Sequence, residues 1–156
     1  MTGLPQVGDA APDFTLPAAG GGELGLKSLR GRKVVIFFYP KADTPGCTRE
    51  AIDFNRLRPD FEKAGTTVLG VSADQVRANE KFQGKYNLAL PLASDPSHAM
   101  LEAYGVWGEK SFMGRKYLGI TRTTVLIGTD GRVARVWPHV KVEGHAEEVL
   151  AAARAL

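Results

Sequence analysis

The sequence is poor in cysteine: its 156 residues contain one, Cys47. A lone cysteine cannot form an internal disulfide, and a chain without disulfides fits a reducing compartment, so we expect a cytoplasmic protein. The same count excludes a Cys-x-x-Cys redox pair and a zinc site that needs several thiolates. His98, His139 and His145 lack metal-ligand spacing, and we predict that they are surface or packing residues.

Long apolar segments and a strong charge excess are also missing. No stretch approaches the roughly 20 apolar residues that span a bilayer, and "MTGLPQVGDAAPDFTL" lacks the charged start and apolar core of an export signal. The 20 basic and 17 acidic residues give a net charge of +3 and lie scattered along the chain. We therefore expect a soluble protein with neither a membrane nor a nucleic acid as partner.

The composition that is present fits an ordinary packed domain, with 44% hydrophobic and 24% charged residues. A chain of this length buries roughly two thirds of the surface that its unfolded form exposes. We predict one domain over residues 1–156. The glycines at 20 to 22 follow no strand and helix pattern, so no nucleotide is expected, and nothing indicates a metal, haem or flavin cofactor.

Buried strands alternate with helices along the chain. The segment "KVVIFFY" (33–39) is apolar on both faces, as a central strand covered by helices would be. A helix follows from about Pro45 and is predicted to break near Pro59. The later elements are a strand at 66–72, a helix at 75–86, an edge strand within 90–95, a short helix at 97–104, a glycine-containing loop, a hairpin that turns at Asp130 and Gly131, and a helix at 144–156.

The order of these elements, β-α-β, then a helix, then β-β-α, is the plan of a thioredoxin-like fold. The N-terminal segment adds at most a short hairpin that pairs "DFTL" (13–16) with "ELGL" (23–26). We therefore predict an α/β protein with a thioredoxin-like fold, a central mixed β-sheet flanked by helices, and an N-terminal hairpin extension.

Cys47 stands at a predicted helix start, with Thr44 as the N-cap and Pro45 as the first helical residue. The unpaired N–H groups and the dipole of the helix favour a thiolate there, by about 0.3 to 1 kcal/mol. One pKa unit corresponds to about 1.4 kcal/mol, so the helix alone lowers the pKa of the thiol by less than about one unit. A reactive thiolate therefore also needs a cation nearby. The alternative is that Cys47 is a small buried hydrophobe and that Thr44 only caps the helix.

Arg122 is the best candidate for the cation. Lys41 and Arg49 are closer in sequence, but both can simply point to water. Arg122 precedes the strand "TTVLI", and in a thioredoxin-like fold the turn that enters this strand lies beside the start of the first helix. Without that fold, Arg122 would be an ordinary solvated loop residue.

The segment "FFYPKADTPGCTREAIDF" resembles the active site of the peroxiredoxin family, whose pattern Pro-x-x-x-Thr-x-x-Cys is met by Pro40, Thr44 and Cys47. It is most similar to the subfamily of the bacterioferritin comigratory protein, or peroxiredoxin Q. The similarity continues through "VLGVSAD", "KFQGKYNLALPLASD", "YGVWGEK", "MGRKYLGITRTTVLI" and "KVEGHAEEVL". It covers nearly the whole chain after the first few residues.

The resemblance implies reduction of hydrogen peroxide or organic hydroperoxides, in which a thiolate attacks the peroxide and becomes a sulfenic acid. The residues that it implies are Cys47 as nucleophile, the Thr44 hydroxyl and the N–H groups near Gly46 and Cys47 as positioning groups, Arg122 as cation, Pro40 as a shield from water, and Glu50 as a residue that orients Arg122 or a neighbouring arginine.

The sequence departs from the subfamily at one position. Many members carry a second, resolving cysteine five residues after the first, where this chain has Ile52, and others place it in the next helix, where this chain has none. The resemblance therefore implies a one-cysteine variant recycled by an external thiol: glutathione, glutaredoxin, thioredoxin or Cys47 of another molecule. The alternative is a peroxide sensor that forms a mixed disulfide with a partner protein. We expect a monomer, with a dimer left open.

Overall fold

The computed structural model describes residues 3–156. A five-stranded sheet stands at the centre. Its strands are β3 (Lys33–Phe38), β4 (Thr66–Ser72), β5 (Leu92–Ser94), β8 (Thr123–Ile127) and β9 (Val133–Trp137), and they lie in the order β5-β4-β3-β8-β9. Two hairpins lie outside it, formed by β1 (Thr15–Pro17) with β2 (Glu23–Gly25) and by β6 (Trp107–Phe112) with β7 (Arg115–Ile120). The helices are α1 (Pro45–Lys63), α2 (Val76–Lys85), α3 (Ala99–Ala103) and α4 (His145–Ala155), with a 3-10 turn at Leu26–Leu29.

The sheet is mixed, as predicted. Strand β3 runs parallel to β4 and antiparallel to β8, and β5 pairs with β4 at one edge. Because side chains alternate along a strand, β3 feeds two cores. Val35 and Phe37 pack on the side of α1 and α4, whereas Val34, Ile36 and Phe38 pack on the side of α3 and β1. The unbroken apolar run therefore reflects burial on both faces of the sheet.

Helix α1 does not break at Pro59, and that prediction is wrong. The helix continues from Pro45 to Lys63. Phe54 and Phe61, which flank the proline, are completely buried, while Pro59 itself lies on the exposed face. A proline inside a helix costs about 3 kcal/mol. Burying each large aromatic side chain gains about 1.5 to 3 kcal/mol, so packing on both sides of Pro59 holds the helix together.

The segment 105–122, predicted to be a glycine-containing loop, contains the hairpin of β6 and β7. Its register pairs Phe112 with Arg115 and Trp107 with Ile120. The two turn residues, Met113 and Gly114, have φ values of 51° and 77°, the combination that a tight two-residue hairpin turn requires. This hairpin matters for the site because β7 ends two residues before β8 begins.

The N-terminal hairpin is confirmed, with Leu16 opposite Leu24 in the antiparallel pair of β1 and β2. The predicted edge strand is confirmed as β5, and the hairpin at Asp130 and Gly131 joins β8 to β9. Within residues 3–156, no helix has the length and apolar character needed to cross a membrane.

Candidate active site

The thiol of Cys47 lies in the first turn of α1, where the sequence predicted it. Thr44 is the N-cap residue, with extended φ and ψ of −93° and 155°, and Pro45 opens the helix. The Cys47 side chain is buried, with 1% of the residue exposed. A sulfur in this position sits among the unpaired N–H groups of the first helical turn and out of contact with bulk water.

Arg122 approaches the sulfur from a different part of the chain. It stands in the two-residue link between β7 and β8, and its Nη2 lies 3.4 Å from Sγ of Cys47. Strands β3 and β8 are antiparallel with Phe38 opposite Thr123, so the chain leaving β3 and the chain entering β8 meet at one edge of the sheet. The predicted proximity of Arg122 to Cys47 is present in the structure.

Glu50 is the second partner of the guanidinium. Nη1 of Arg122 donates to Oε1 of Glu50 at 2.8 Å, so one arginine bridges the carboxyl group and the sulfur. The Glu50 side chain is 1% exposed, and Oε2 has no hydrogen-bond partner among the described residues. Burial raises the pKa of Glu50 to about 7, against the lowering effect of Arg122. Arg122 itself is 18% exposed, so it is the more solvent-accessible member of this ion pair.

Thr44 occupies the N-cap position, but its hydroxyl does not cap the helix. Instead Oγ1 donates to the carbonyl of Lys41 at 2.7 Å. The carbonyl of Thr44 accepts the N–H of Thr48 at 2.9 Å. The predicted side-chain cap is therefore wrong: the hydroxyl proton is used within the loop, and the lone pairs of the oxygen are left to accept a hydrogen bond.

Gly46 lies directly against the guanidinium. A Cβ at this position would lie 3.1 Å from Nη2 of Arg122. Pro40 is half-buried in the loop that joins β3 to α1, and its role as a shield from water stays a prediction.

With this geometry in place, comparison with known proteins becomes informative. The profile of the AhpC/TSA family matches residues 7–136. The chain belongs to this family. It is 46% identical over 143 residues to peroxiredoxin Bcp of Xanthomonas campestris, covering 92% of this chain and 89% of that protein. It is 42% identical over 145 residues to peroxiredoxin Bcp of Escherichia coli, covering 93% of each.

Solved structures agree with the sequence comparison. Xanthomonas campestris peroxiredoxin Q superposes with a TM-score of 0.89 at 44% identity, covering 98% of this chain and 97% of that one. The thioredoxin-like fold and the resemblance to the bacterioferritin comigratory protein, or peroxiredoxin Q, are confirmed. The protein is a peroxiredoxin, a thiol-dependent peroxidase.

The sequence did not single out Lys110, which lies near the site of this peroxiredoxin. Its Nζ donates to the carbonyl of Ile120 at 2.7 Å. Burial and the charge of Arg122 lower the pKa of Lys110, while Cys47 acts in the opposite direction. The residue comes from β6, so only recognition of the hairpin in segment 105–122 would have drawn attention to it. Arg49, by contrast, pairs with Asp53 at 3.9 Å, and Lys41 is exposed.

The loop before α1 is anchored by a residue that the sequence also did not reveal. Oδ2 of Asp74 accepts the N–H of Ala42 at 2.8 Å and the hydroxyl of Ser72 at 2.9 Å. Asp43, which has a φ of 62°, pairs with Lys85 at 2.9 Å. These contacts fix the loop that carries Thr44 against β4 and α2.

The three histidines differ in burial: His139 is exposed and His98 is half-buried. His145 is buried, its Nε2 lies 2.8 Å from Oγ1 of Thr124, and its ring packs edge-on against Phe54 and Trp137. Burial lowers the pKa of His145 to about 4, with a smaller contribution in the same direction from Arg122. Residues 3–156 contain no cluster of three or more side chains suited to a metal ion.

Proposed function

We propose that this peroxiredoxin reduces hydrogen peroxide and organic hydroperoxides through a sulfenic acid on Cys47. The observation that carries the proposal is the distance of 3.4 Å between Sγ of Cys47 and Nη2 of Arg122 in a buried site. A guanidinium at this distance favours the ionised sulfur. A solved structure of the Xanthomonas campestris bacterioferritin comigratory protein, 43% identical, concerns alkyl peroxide reduction by that protein, which supports the same substrate class here.

The oxidation step assigns a role to each group around the sulfur. The Cys47 thiolate attacks one peroxide oxygen, the S–O bond forms, the O–O bond breaks, and the departing oxygen takes a proton to become water or an alcohol. The free lone pairs of the Thr44 hydroxyl accept a hydrogen bond from the peroxide. The guanidinium of Arg122 and the N–H groups near Gly46 stabilise the charge that develops on the departing oxygen.

Ionisation alone contributes a modest part of the rate. For a thiol in general, a fall in pKa from ~8.5 to ~6 raises the thiolate fraction at pH 7 about thirty-fold, and intrinsic nucleophilicity falls as the pKa drops. Alignment of the reactants and stabilisation of the departing oxygen contribute far more in enzymes. The hydrogen-bond donors around Cys47 are already in place before the peroxide binds, so little reorganisation is needed.

We propose that an external thiol recycles the enzyme, because the sequence holds no second cysteine. The sulfenic acid condenses with one thiol to release water and form a mixed disulfide, and a second thiol releases Cys47. The candidates are glutathione, glutaredoxin, thioredoxin or Cys47 of another copy. Since the cysteine is 1% exposed, the first turn of α1 has to open before any thiol reaches the sulfur.

The decisive experiment measures peroxide consumption in parallel with glutathione, glutaredoxin and thioredoxin, using the wild-type protein and Cys47→Ser. We expect many turnovers with at least one reductant and none for the variant. The lone cysteine also supports the second candidate, a peroxide sensor that ends as a mixed disulfide with a partner protein. A single stoichiometric oxidation of Cys47 with every reductant would favour the sensor and contradict the peroxidase cycle.

We propose further that residues 1–156 act as one domain and as a monomer, and that the reaction takes place in the cytoplasm, where a lone cysteine stays reduced. Equilibrium sedimentation at increasing protein concentration tests the monomer, since a mass of twice the chain would contradict it.

A further inference from the structure

Two acidic groups share one guanidinium in this site. Arg122 donates Nη1 to Oε1 of Glu50 at 2.8 Å and places Nη2 3.4 Å from the sulfur of Cys47. The other carboxyl oxygen of Glu50, Oε2, has no contact with solvent and no donor among the described residues. A buried carboxylate normally has both oxygens hydrogen-bonded, because an unpaired buried charge is expensive. Protonation makes the group neutral, and a neutral polar group without a partner costs far less to bury than a charged one.

The other charged groups near the site do not supply a second counter-ion to Glu50. Asp53, one turn further along α1, adds negative charge, and Tyr39 of the neighbouring strand end has a pKa raised by burial. Lys110 donates its Nζ to the carbonyl of Ile120 and is not among the ion pairs of Glu50. His145, whose pKa burial lowers, is neutral at pH 7.

With both acids ionised, the buried site would therefore hold two anions in contact with one cation. An uncompensated buried charge costs several kcal/mol, enough to keep one of the two groups protonated. If the sulfur is the ionised group, as the proposed function requires, the carboxyl group has to carry the proton.

We propose that Cys47 and Glu50 share a single proton, that Oε2 of Glu50 holds it while the sulfur is a thiolate, and that Glu50 releases a proton when the sulfur is oxidised, so that the departing oxygen is protonated without net uptake from solution. The inference rests on the proposed function. As the S–O bond forms and the O–O bond breaks, the carboxyl group becomes a carboxylate and the departing oxygen becomes water or an alcohol. The guanidinium of Arg122 faces one negative charge before the step, on sulfur, and one after it, on Glu50.

Glu50 is in this account a charge-balancing residue that acts through Arg122. The direction of its pKa agrees, since burial raises that pKa to about 7. A thiolate on the same guanidinium raises it further, because a second anion disfavours the carboxylate. Oxidation removes the thiolate, so at about pH 8 Glu50 is protonated before the step and ionised after it.

The test counts protons during one oxidation. Reduced protein is mixed with one equivalent of hydrogen peroxide in weakly buffered indicator solution at about pH 8, above the pKa of Glu50, so that the carboxylate formed in the step stays ionised. Thiolate absorbance is recorded before mixing to show that the sulfur is ionised. We expect the wild type to take up close to no proton from solution, because Glu50 releases one as the departing oxygen takes one. Glu50→Gln, which matches the shape of the protonated acid but cannot release a proton, should take up about one proton per Cys47 oxidised.

The controls separate this inference from the proposed function. Glu143→Gln replaces an exposed glutamate and should behave as the wild type. Equal proton uptake by the wild type and Glu50→Gln would overturn the inference while leaving peroxide reduction intact. Failure of peroxide to oxidise Cys47 in the wild type would overturn the proposed function instead.

A second measurement needs only the wild-type chain. Its infrared difference spectrum should lose the band of a protonated carboxyl group when Cys47 is oxidised. Retention of all such bands would overturn the inference even if Glu50→Gln failed to fold.

Discussion

Gly46 and Arg122 are in direct contact, and the absence of a side chain at Gly46 gives the guanidinium its place. A Cβ at Gly46 would lie 3.1 Å from Nη2, a separation tighter than carbon and nitrogen atoms normally adopt. The same Nη2 lies 3.4 Å from the sulfur of Cys47. The start of α1 therefore contributes to the site in two ways: its dipole favours a thiolate, and the missing side chain at Gly46 leaves space for the guanidinium of Arg122.

Gly46→Ala should separate stability from activity. Alanine loses less backbone freedom on folding than glycine, which at an unstrained position raises the free energy of unfolding by about 0.4 to 1 kcal/mol. At Gly46 the close contact with Arg122 opposes this gain, so the free energy of unfolding should change by less than that. The added methyl group displaces Arg122 by a few tenths of an ångström, and peroxide reduction should slow roughly tenfold because catalytic geometry is that sensitive. Gly84→Ala in α2, where a Cβ meets nothing within 4 Å, is the matched control and should show the full gain in stability with full activity. Unchanged peroxide reduction in Gly46→Ala would contradict the prediction.

Arg122→Ala should slow peroxide reduction by more than the loss of thiolate explains. Removing one donor that stabilises a developing oxyanion costs about 2.7 to 4 kcal/mol, or a factor of about 10² to 10³ in rate. The rate constant for the oxidation step and the thiolate absorbance are measured over the same pH range. Arg122→Lys keeps the charge and loses the two-pronged geometry, so it should recover only part of the rate. A loss that follows the thiolate fraction alone would refute this role.

Thr44→Val should lower activity far more than stability. The hydroxyl makes one hydrogen bond, to the carbonyl of Lys41, and does not cap α1, so its loss costs about 0.5 to 1.5 kcal/mol. Thr44→Ser keeps the hydroxyl and should retain most of the peroxide reduction. Denaturant unfolding and the oxidation rate are compared for both variants. Equal activity of the valine and serine variants would show that the hydroxyl does not contact the peroxide.

The relationship between Cys47 and Arg122 was predictable although 75 positions separate them. The order of strands and helices indicated the fold, and in that fold the end of β3 and the start of β8 lie at the same edge of the sheet. Cap preferences placed the cysteine correctly in the first turn of α1. These inferences succeeded because they depend on local signals and on one well-defined topology.

Other parts of the site could not be predicted, since they depend on burial. Glu50 lies in the second turn of α1, where a carboxylate would suit solvent, but it is 1% exposed and pairs with the guanidinium of Arg122. The hairpin that carries Lys110 has apolar residues, Phe112 and Leu118, at exposed positions, so the usual alternation of buried and exposed residues is missing. Helix α1 continues through Pro59 because tertiary packing stabilises it, and local helix propensity carries no information about that packing.

His145 should make folding stability depend on pH. Its pKa falls from 6.5 to about 4 on folding, so between these values the unfolded state binds more protons and stability is lost as the pH falls. A pKa shift of this size lowers the free energy of unfolding by on the order of 3 kcal/mol between pH 7 and pH 4. His145→Phe should lose this dependence, and its unfolding free energy should approach that of the wild type as the pH drops from 7 to 4. Denaturant unfolding at both pH values is the measurement.

A matched variant checks the assignment to His145. His139 is exposed and has a φ of 50°, which asparagine tolerates, so His139→Asn should keep the wild-type dependence on pH. Glu50 acts in the opposite direction, because its raised pKa makes the folded state bind more protons between 4.5 and about 7. Its contribution is common to all three proteins and cancels in the differences. Parallel pH curves for the wild type and His145→Phe would disprove the assignment.

Ile52→Cys should convert the one-cysteine enzyme into one that forms an internal disulfide. Ile52 is 40% exposed and lies five residues after Cys47 in the same helix. A helix rises 1.5 Å per residue, which separates the two Cα atoms by about 7.5 Å along the axis, beyond the roughly 7 Å that a disulfide allows. The start of α1 therefore has to unwind before the bond can form. We expect a normal rate of sulfenic acid formation, then loss of the free thiol introduced at position 52 together with loss of helical circular dichroism.

Ile52→Ser, which adds a polar group without a thiol, is the control and should keep its helix on oxidation. A variant that retains both a sulfenic acid on Cys47 and a free thiol at position 52 would show that α1 is too stable to open, and an external thiol would then face the same barrier.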